Sequence, residues 1–260
     1  MAGNIALLYN HNKKESVETA GKIKDILTGR GADLTDMELT SRTEAIISVG
    51  GDGTVLKSAR QAHKYDIPLA AVNTGTLGFL GLNIDGLKEF AGRILKGDYK
   101  LRELAMLEIT TGREKLTALN DIVVKNGQTA RVINLSVAVD GQEVFNIKGD
   151  GIIVSTPTGS TAYSLAAGGP VAVPGMDILI ITPLAPHSLS YRPLVTGPSE
   201  ITISRSADSG QPIILTADGQ VSRDIGKDQK IKVKLSNRKL KIIDGQREFF
   251  RVLKKKLGWG

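Results

Sequence analysis

Apolar residues over positions 1–100 alternate between two textures. Ile5 to Tyr9, Ala45 to Val49 and Leu69 to Asn73 are short, nearly continuous apolar runs, the pattern of strands buried on both faces of a parallel sheet. Between them, Lys13 to Leu27 repeats Val17, Ala20, Ile23 and Leu27 at helical spacing and stops at Gly29 to Gly31. Val55 to Tyr65 and Leu87 to Leu95 also read as helices. Strands alternating with helices predict an α/β domain over residues 1–100. Its parallel sheet would form a ligand crevice at the carboxyl ends of the strands.

Beyond residue 100 short alternating runs take over: Glu108 to Thr110, Leu116 to Val124, Val132 to Val139, Glu143 to Ile147, Ile152 to Ser155, Ile178 to Ile181, Ile201 to Ser204, Ile213 to Ala217, Ile231 to Leu235 and Leu240 to Ile243. Asp140-Gly141 and Asp244-Gly245 supply turn signals between runs. A β-rich, sandwich-like domain is expected over residues 101–245. Residues 246–260 place Phe249, Phe250, Val252, Leu253 and Leu257 on one helical pattern. A helix returning to the first domain would cover that face.

Composition narrows the function classes. The 260 residues include no cysteine, which excludes disulfides, thiolate metal sites and a cysteine nucleophile. His11, His63 and His187 lack metal-ligand spacing, so no zinc site is expected. The amino terminus lacks signal-peptide regions, and no apolar run nears the roughly 20 residues that span a bilayer. A soluble, cytoplasmic protein without a membrane partner is the expectation. Net charge is +7, which suits a polyanionic small molecule or nucleic acid. Aromatic residues make up only 4% and are not interleaved with the basic ones, so nucleic acid is the minor reading.

Gly50-Gly51-Asp52-Gly53-Thr54 follows the strand run Ala45 to Val49 and sets one carboxylate among three glycines. Glycine lets main-chain N–H groups approach phosphate oxygens, and the following helix would aim its positive end at the same place. An aspartate beside phosphate suits a metal ligand or an acceptor of a hydroxyl proton. The segment is neither a Walker loop nor a dinucleotide fingerprint; alone it also suits a structural turn. Three more polar segments accompany it: Asn73 to Leu80, Asn120-Asp121, and Gly149-Asp150-Gly151 leading into Thr156-Pro157-Thr158-Gly159-Ser160-Thr161-Ala162-Tyr163-Ser164.

This ordered set, spread over nearly the whole chain, resembles the NAD kinase family. The resemblance implies an α/β domain followed by a β-rich domain, in a homo-oligomer whose sites form near subunit contacts. It implies phosphoryl transfer to the 2′-hydroxyl of the adenosine ribose of NAD, giving NADP. The donor would be ATP or inorganic polyphosphate with a divalent cation, Mg²⁺ by expectation. By the same resemblance Asp52 is the proton acceptor, Gly50, Gly51, Gly53 and Thr54 form the phosphate-donor loop, and Gly53 also lets the backbone approach the dinucleotide. Asn120 and Asp121 hold ribose hydroxyls and adenine edges, Asp121 standing where many members carry Glu. Tyr163 lies flat against the dinucleotide, with Thr161, Ala162 and Ser164 adding hydroxyl and backbone contacts. Asp150 contacts the nicotinamide end from a neighbouring subunit, Lys148 and Arg131 meet phosphate, and Gln220 lies at a turn near the dinucleotide. The glycine loop is shared with lipid and sphingoid-base kinases, which would need an apolar acceptor pocket. A nucleotide sensor without turnover is the non-enzymatic alternative.

Overall fold

The continuous apolar runs form the centre of one sheet and the alternating runs form two others. The structure, a computed structural model, describes residues 4–74, 86–127, 132–206, 212–244 and 249–258. It begins with β1 (Asn4–Tyr9), α1 (Lys14–Thr28), β2 (Asp33–Asp36), β3 (Ala45–Gly50), α2 (Asp52–Tyr65), β4 (Leu69–Asn73), α3 (Leu87–Lys96) and β5 (Lys100–Leu104). Next come β6 (Leu107–Thr111), β7 (Glu114–Ala118), β8 (Asp121–Asn126), β9 (Ile133–Val139), β10 (Gln142–Gly149) and β11 (Gly151–Ser155). A single 3₁₀ turn (Gly159–Thr161) leads into α4 (Tyr163–Ala166). The chain continues through β12 (Leu179–Leu184), β13 (Leu194–Thr196), β14 (Ile201–Arg205), β15 (Ile213–Ala217), β16 (Val221–Ile225) and β17 (Ile231–Leu235) to β18 (Leu240–Asp244) and α5 (Phe249–Leu257).

Two compact units result, one of residues Met1–Glu103 with Leu240–Gly260, the other of Leu104–Lys239. In the first, the strands lie in the order β2-β1-β3-β4-β18-β5. The pairs β1–β2, β1–β3, β3–β4 and β4–β18 are parallel. Ile47 and Val49 of β3 share a core with Ala20, Ile23 and Leu27 of α1 and Ala91 and Ile94 of α3. Ser48, on the opposite face, accepts a 2.9 Å hydrogen bond from Ser58 of α2. Burial on both faces is the physical reason these strands read as continuous apolar runs.

Two expectations change here. The inward stripe of α1 is Ser16, Ala20, Ile23 and Leu27, while Val17 is 42% exposed. Ser16 tolerates burial because its hydroxyl lies 3.0 Å from that of Thr74. The last strand of the expected β-rich span, β18, instead adds to the first unit's sheet, with Ile242 opposite Leu69 of β4. Its Leu240, Ile242 and Ile243 are all buried, as a strand covered on both sides requires.

The second unit holds two six-stranded sheets, β10-β9-β14-β17-β6-β7 and β13-β12-β11-β8-β15-β16, and the pairs within them are antiparallel. Ile122 and Val124 of β8, Ile152 and Val154 of β11, and Leu215 of β15 share one core with Ile109, Leu135, Val137, Ile203 and Val233 of the other sheet. The period of two then sends Asp121, Val123 and Lys125 of β8 to the outer face. Ile153 and Ser155 of β11 and Thr216 of β15 point the same way, since Val123 lies opposite both Ile153 and Thr216 and Asp121 lies opposite Ser155. The run Leu116 to Val124 is therefore two strands, β7 and β8, broken at Leu119-Asn120.

Candidate active site

In the first unit the glycine loop is the turn between β3 and α2. Gly50 has φ 157°, and a Cβ on it would stand 2.6 Å from the Thr54 hydroxyl oxygen and 2.9 Å from the Thr54 Cβ. Only glycine lets the chain fold back this tightly on Thr54. Gly51 is the extended residue before the helix, and the N–H groups of Thr54 and Val55 both donate to its carbonyl, at 2.9 and 3.2 Å. The helix therefore begins at Asp52 rather than Val55, and the exposed Asp52 carboxylate sits in its first turn, where the dipole favours an anion. Gly50 and Asn73 are neighbours at the carboxyl ends of β3 and β4. The polar segment expected from Asn73 to Leu80 is described only as far as Thr74.

In the second unit, a depression of about 380 Å³ opens on the outer sheet face. It is lined by Val123, Lys125 and Thr216 of the sheet, Asn120 and Asp121, Ala162 and Tyr163, and the turn Asp218-Gly219. Contacts to the backbone build its rim. Asp218, at φ 51° followed by Gly219 at φ 62°, turns β15 into β16 with the hairpin geometry that Asp-Gly favours. Its carboxylate accepts from the N–H groups of Leu119 (3.1 Å) and Asn120 (2.8 Å). The Asn120 carbonyl accepts from the N–H of Thr156 at 2.9 Å, while the Thr156 hydroxyl donates to Leu119 O at 2.6 Å. A Cβ on Gly159 would lie 1.9 Å from the Asn120 carbonyl oxygen, so the segment after β11 docks against Asn120 only because that residue is glycine.

Asp121 is 5% exposed at the start of β8 and lines the depression. Burial, and then the Asp218 carboxylate nearby, push its carboxyl from 3.8 up to about 7. Tyr163 is 50% exposed at the head of α4, open to a flat ligand rather than packed in the core. Ala162 lies beside it, and the Thr161 hydroxyl donates to Thr158 O at 3.3 Å.

The other expected residues lie apart from the depression's lining. Ser164 is fully buried and its hydroxyl pairs with that of Thr182 at 2.9 Å, so it fixes α4 on the sheet instead of offering a hydroxyl to a ligand. Lys148 and Asp150 are exposed on and just after β10. The Asp150 N–H donates to Leu184 O at 3.0 Å, and the Lys148 carbonyl accepts from His187 N–H at 2.9 Å. Gln220 closes the hairpin through its N–H to Ala217 O at 3.0 Å. Arg131 lies outside the described residues. Lys125, Thr216 and Asp218 join the lining without having been expected. Lys125 was within reach of the sequence, because it stands four residues after Asp121 on one strand and so shares its face. Among the described residues no group of three or more His, Cys, Asp or Glu side chains could cage a metal ion. An ion carried mainly by a ligand's phosphates, with one protein carboxylate such as Asp52, fits that donor set.

A parallel-sheet unit with a glycine loop at a strand end, followed by an antiparallel sandwich with a depression on one outer sheet face, defines a two-unit α/β plus β protein. Residues 10–99 match the ATP-NAD kinase N-terminal domain and residues 119–245 the ATP-NAD kinase C-terminal domain. The chain is 36% identical to an NAD kinase of Syntrophotalea carbinolica over 98% of both chains, and 42% identical to one of Koribacter versatilis over 84% of this chain and 78% of that one. A crystal structure of an NAD kinase from Archaeoglobus fulgidus in complex with ATP superposes with a TM-score of 0.82 at 27% identity, covering 99% of this chain and 100% of the other. Yeast NADH kinase complexed with NADH shares the fold at a TM-score of 0.89 and 23% identity, over 99% and 88% of the two chains. The chain belongs to the NAD kinase family and is a phosphotransferase of that family.

Proposed function

We propose that this enzyme transfers the terminal phosphoryl group of ATP or inorganic polyphosphate to the 2′-hydroxyl of the adenosine ribose of NAD. The ribose oxygen forms a new bond to phosphorus as the bridging P–O bond breaks, giving NADP and ADP or a shortened polyphosphate. Asp52 takes the proton of the attacking hydroxyl. The observation that carries this role is the exposed carboxylate of Asp52 in the first turn of α2, within a glycine loop at a strand end, in a chain of this family. A carboxylate of ordinary basicity suffices when the proton moves late, so positioning supplies most of the rate. Backbone N–H groups at the head of α2 receive the donor phosphates. Mg²⁺, when bound with the donor, offsets the phosphate charge.

Asn120, Asp121, Ala162 and Tyr163 hold the nucleotide, Tyr163 by its ring face. Lys148, Asp150, Arg131 and Gln220 contribute phosphate and nicotinamide contacts, with Asp150 acting from a neighbouring subunit of a homo-oligomer. The exposure of Lys148 and Asp150 supports that reading. The site of action in this reading is the cytoplasm; no described helix is long and apolar enough to cross a membrane. Asn120, Asp121, Lys125, Thr216 and Asp218 in the lining favour an acceptor with several polar groups over the acyl chain of a lipid.

The test is NADP formation from NAD and Mg²⁺ with ATP and polyphosphate in parallel, comparing Asp52→Asn with the wild type. A general base contributes about 10²–10⁴-fold, and a loss of kcat in that range with NAD binding retained is expected. Unchanged kcat in the variant would remove Asp52 from the role.

A further inference from the structure

Asp121 is 5% exposed and lines the depression. No hydrogen bond from another side chain reaches it among the described residues. Directly opposite on β11 stands Ser155, fully buried, whose hydroxyl also lacks a partner among the described residues. Registered antiparallel neighbours place their Cβ atoms about 5 Å apart on the same face, so the unused hydroxyl and the unused carboxyl are side by side. Asp218 completes the group. Both of its oxygens are committed to the Leu119 and Asn120 N–H groups, and its own N–H donates to the Asp121 carbonyl at 2.9 Å. The turn thus pins a second carboxylate against the backbone of the residue it faces.

We propose that Asp218 is a positioning residue that holds Asp121 protonated in the empty depression, so that a nucleotide presenting paired hydrogen-bond donors, such as a ribose diol, binds with release of one proton. This rests on the depression being the NAD site. The balance is simple. The carboxyl O–H bond breaks, the proton passes to solvent, and the resulting carboxylate accepts from the ligand's donors while the Ser155 hydroxyl turns to donate to its other oxygen. Burial penalises the charged form of Asp121, and the Asp218 carboxylate held at the same rim adds to that cost. A raised proton affinity at Asp121 agrees with both. The titratable or charged groups facing Asp121 in the depression are Asp218 from the hairpin turn, Lys125 from its own strand and Tyr163 from α4.

The experiment is NAD binding by calorimetry between about pH 6 and about pH 8, in buffers of differing ionisation enthalpy, on the full-length protein. The wild type is expected to gain about tenfold in affinity across that range and to release up to one proton per NAD. Asp121→Asn should bind more weakly with no pH dependence. Asp218→Asn should move the transition to lower pH and Ser155→Ala to higher pH, opposite shifts that a merely structural role would not produce. Carboxyl-carbon NMR of Asp121 in the nucleotide-free protein reads the same midpoint directly, should either variant fold poorly. NADP formation with a pH-independent NAD affinity would overturn the proton linkage alone. Absence of both NAD binding and turnover in the wild type would overturn the NAD-site reading with it.

Discussion

Replacing Asp121 with asparagine should stabilise the nucleotide-free enzyme, and only above the acid range. The carboxyl is raised from 3.8 to about 7 in the folded chain. Between those values the native state keeps a proton that the unfolded chain has released, so the wild type loses stability as pH rises from about 4 to about 7 and levels off above. A rise of about 3 units at 1.36 kcal/mol each is ~4 kcal/mol. Water reaching the carboxyl from the depression reduces it, and ~2 kcal/mol is a reasonable floor. Asparagine keeps the shape and never ionises. Urea unfolding without nucleotide, at about pH 4 and about pH 8, should therefore show the two proteins nearly equal in acid and the variant ahead by ~2–4 kcal/mol at the higher pH. A difference of the same size at both pH values would refute the reasoning, because it would show that Asp121 is not an ionised, poorly solvated group at neutral pH.

Gly159→Ala would force a Cβ to within 1.9 Å of the Asn120 carbonyl oxygen. It should cost about 3 kcal/mol or more and weaken NAD binding, and an unchanged unfolding midpoint would show that the docked segment can move aside. Tyr163→Ala removes the ring of a half-exposed residue. A rise of about tenfold in KM for NAD with little change in stability is expected from a lost face contact of about 1.5 kcal/mol, and a fall in stability with KM intact would assign the ring to packing instead.

The strands β3 and β4 and the alternately buried β9 were legible because burial on two faces and on one face leave different signatures in sequence. The glycine loop was legible for a similar local reason: close approach of backbone demands residues without a Cβ, as Gly50 against Thr54 shows. Other features were not. Val17 and Ser16 are adjacent on α1, and choosing the serine as the buried one depended on a partner hydroxyl 58 residues away, that of Thr74. The edge strands β2 and β16 are largely polar, so they carry no apolar alternation to announce them.

Local chemistry thus determined the two kinds of sheet, the glycine loop leading into Asp52, and the candidate pair Asn120-Asp121. The tertiary structure decided what could not be local. It brought Asp218 across 98 residues to hold the Asn120 N–H, moved the last strand into the first unit's sheet, and turned Ser164 inward to Thr182. Each depends on a partner distant in sequence, and a pattern of period two or 3.6 reports which face a residue occupies, not what stands opposite it.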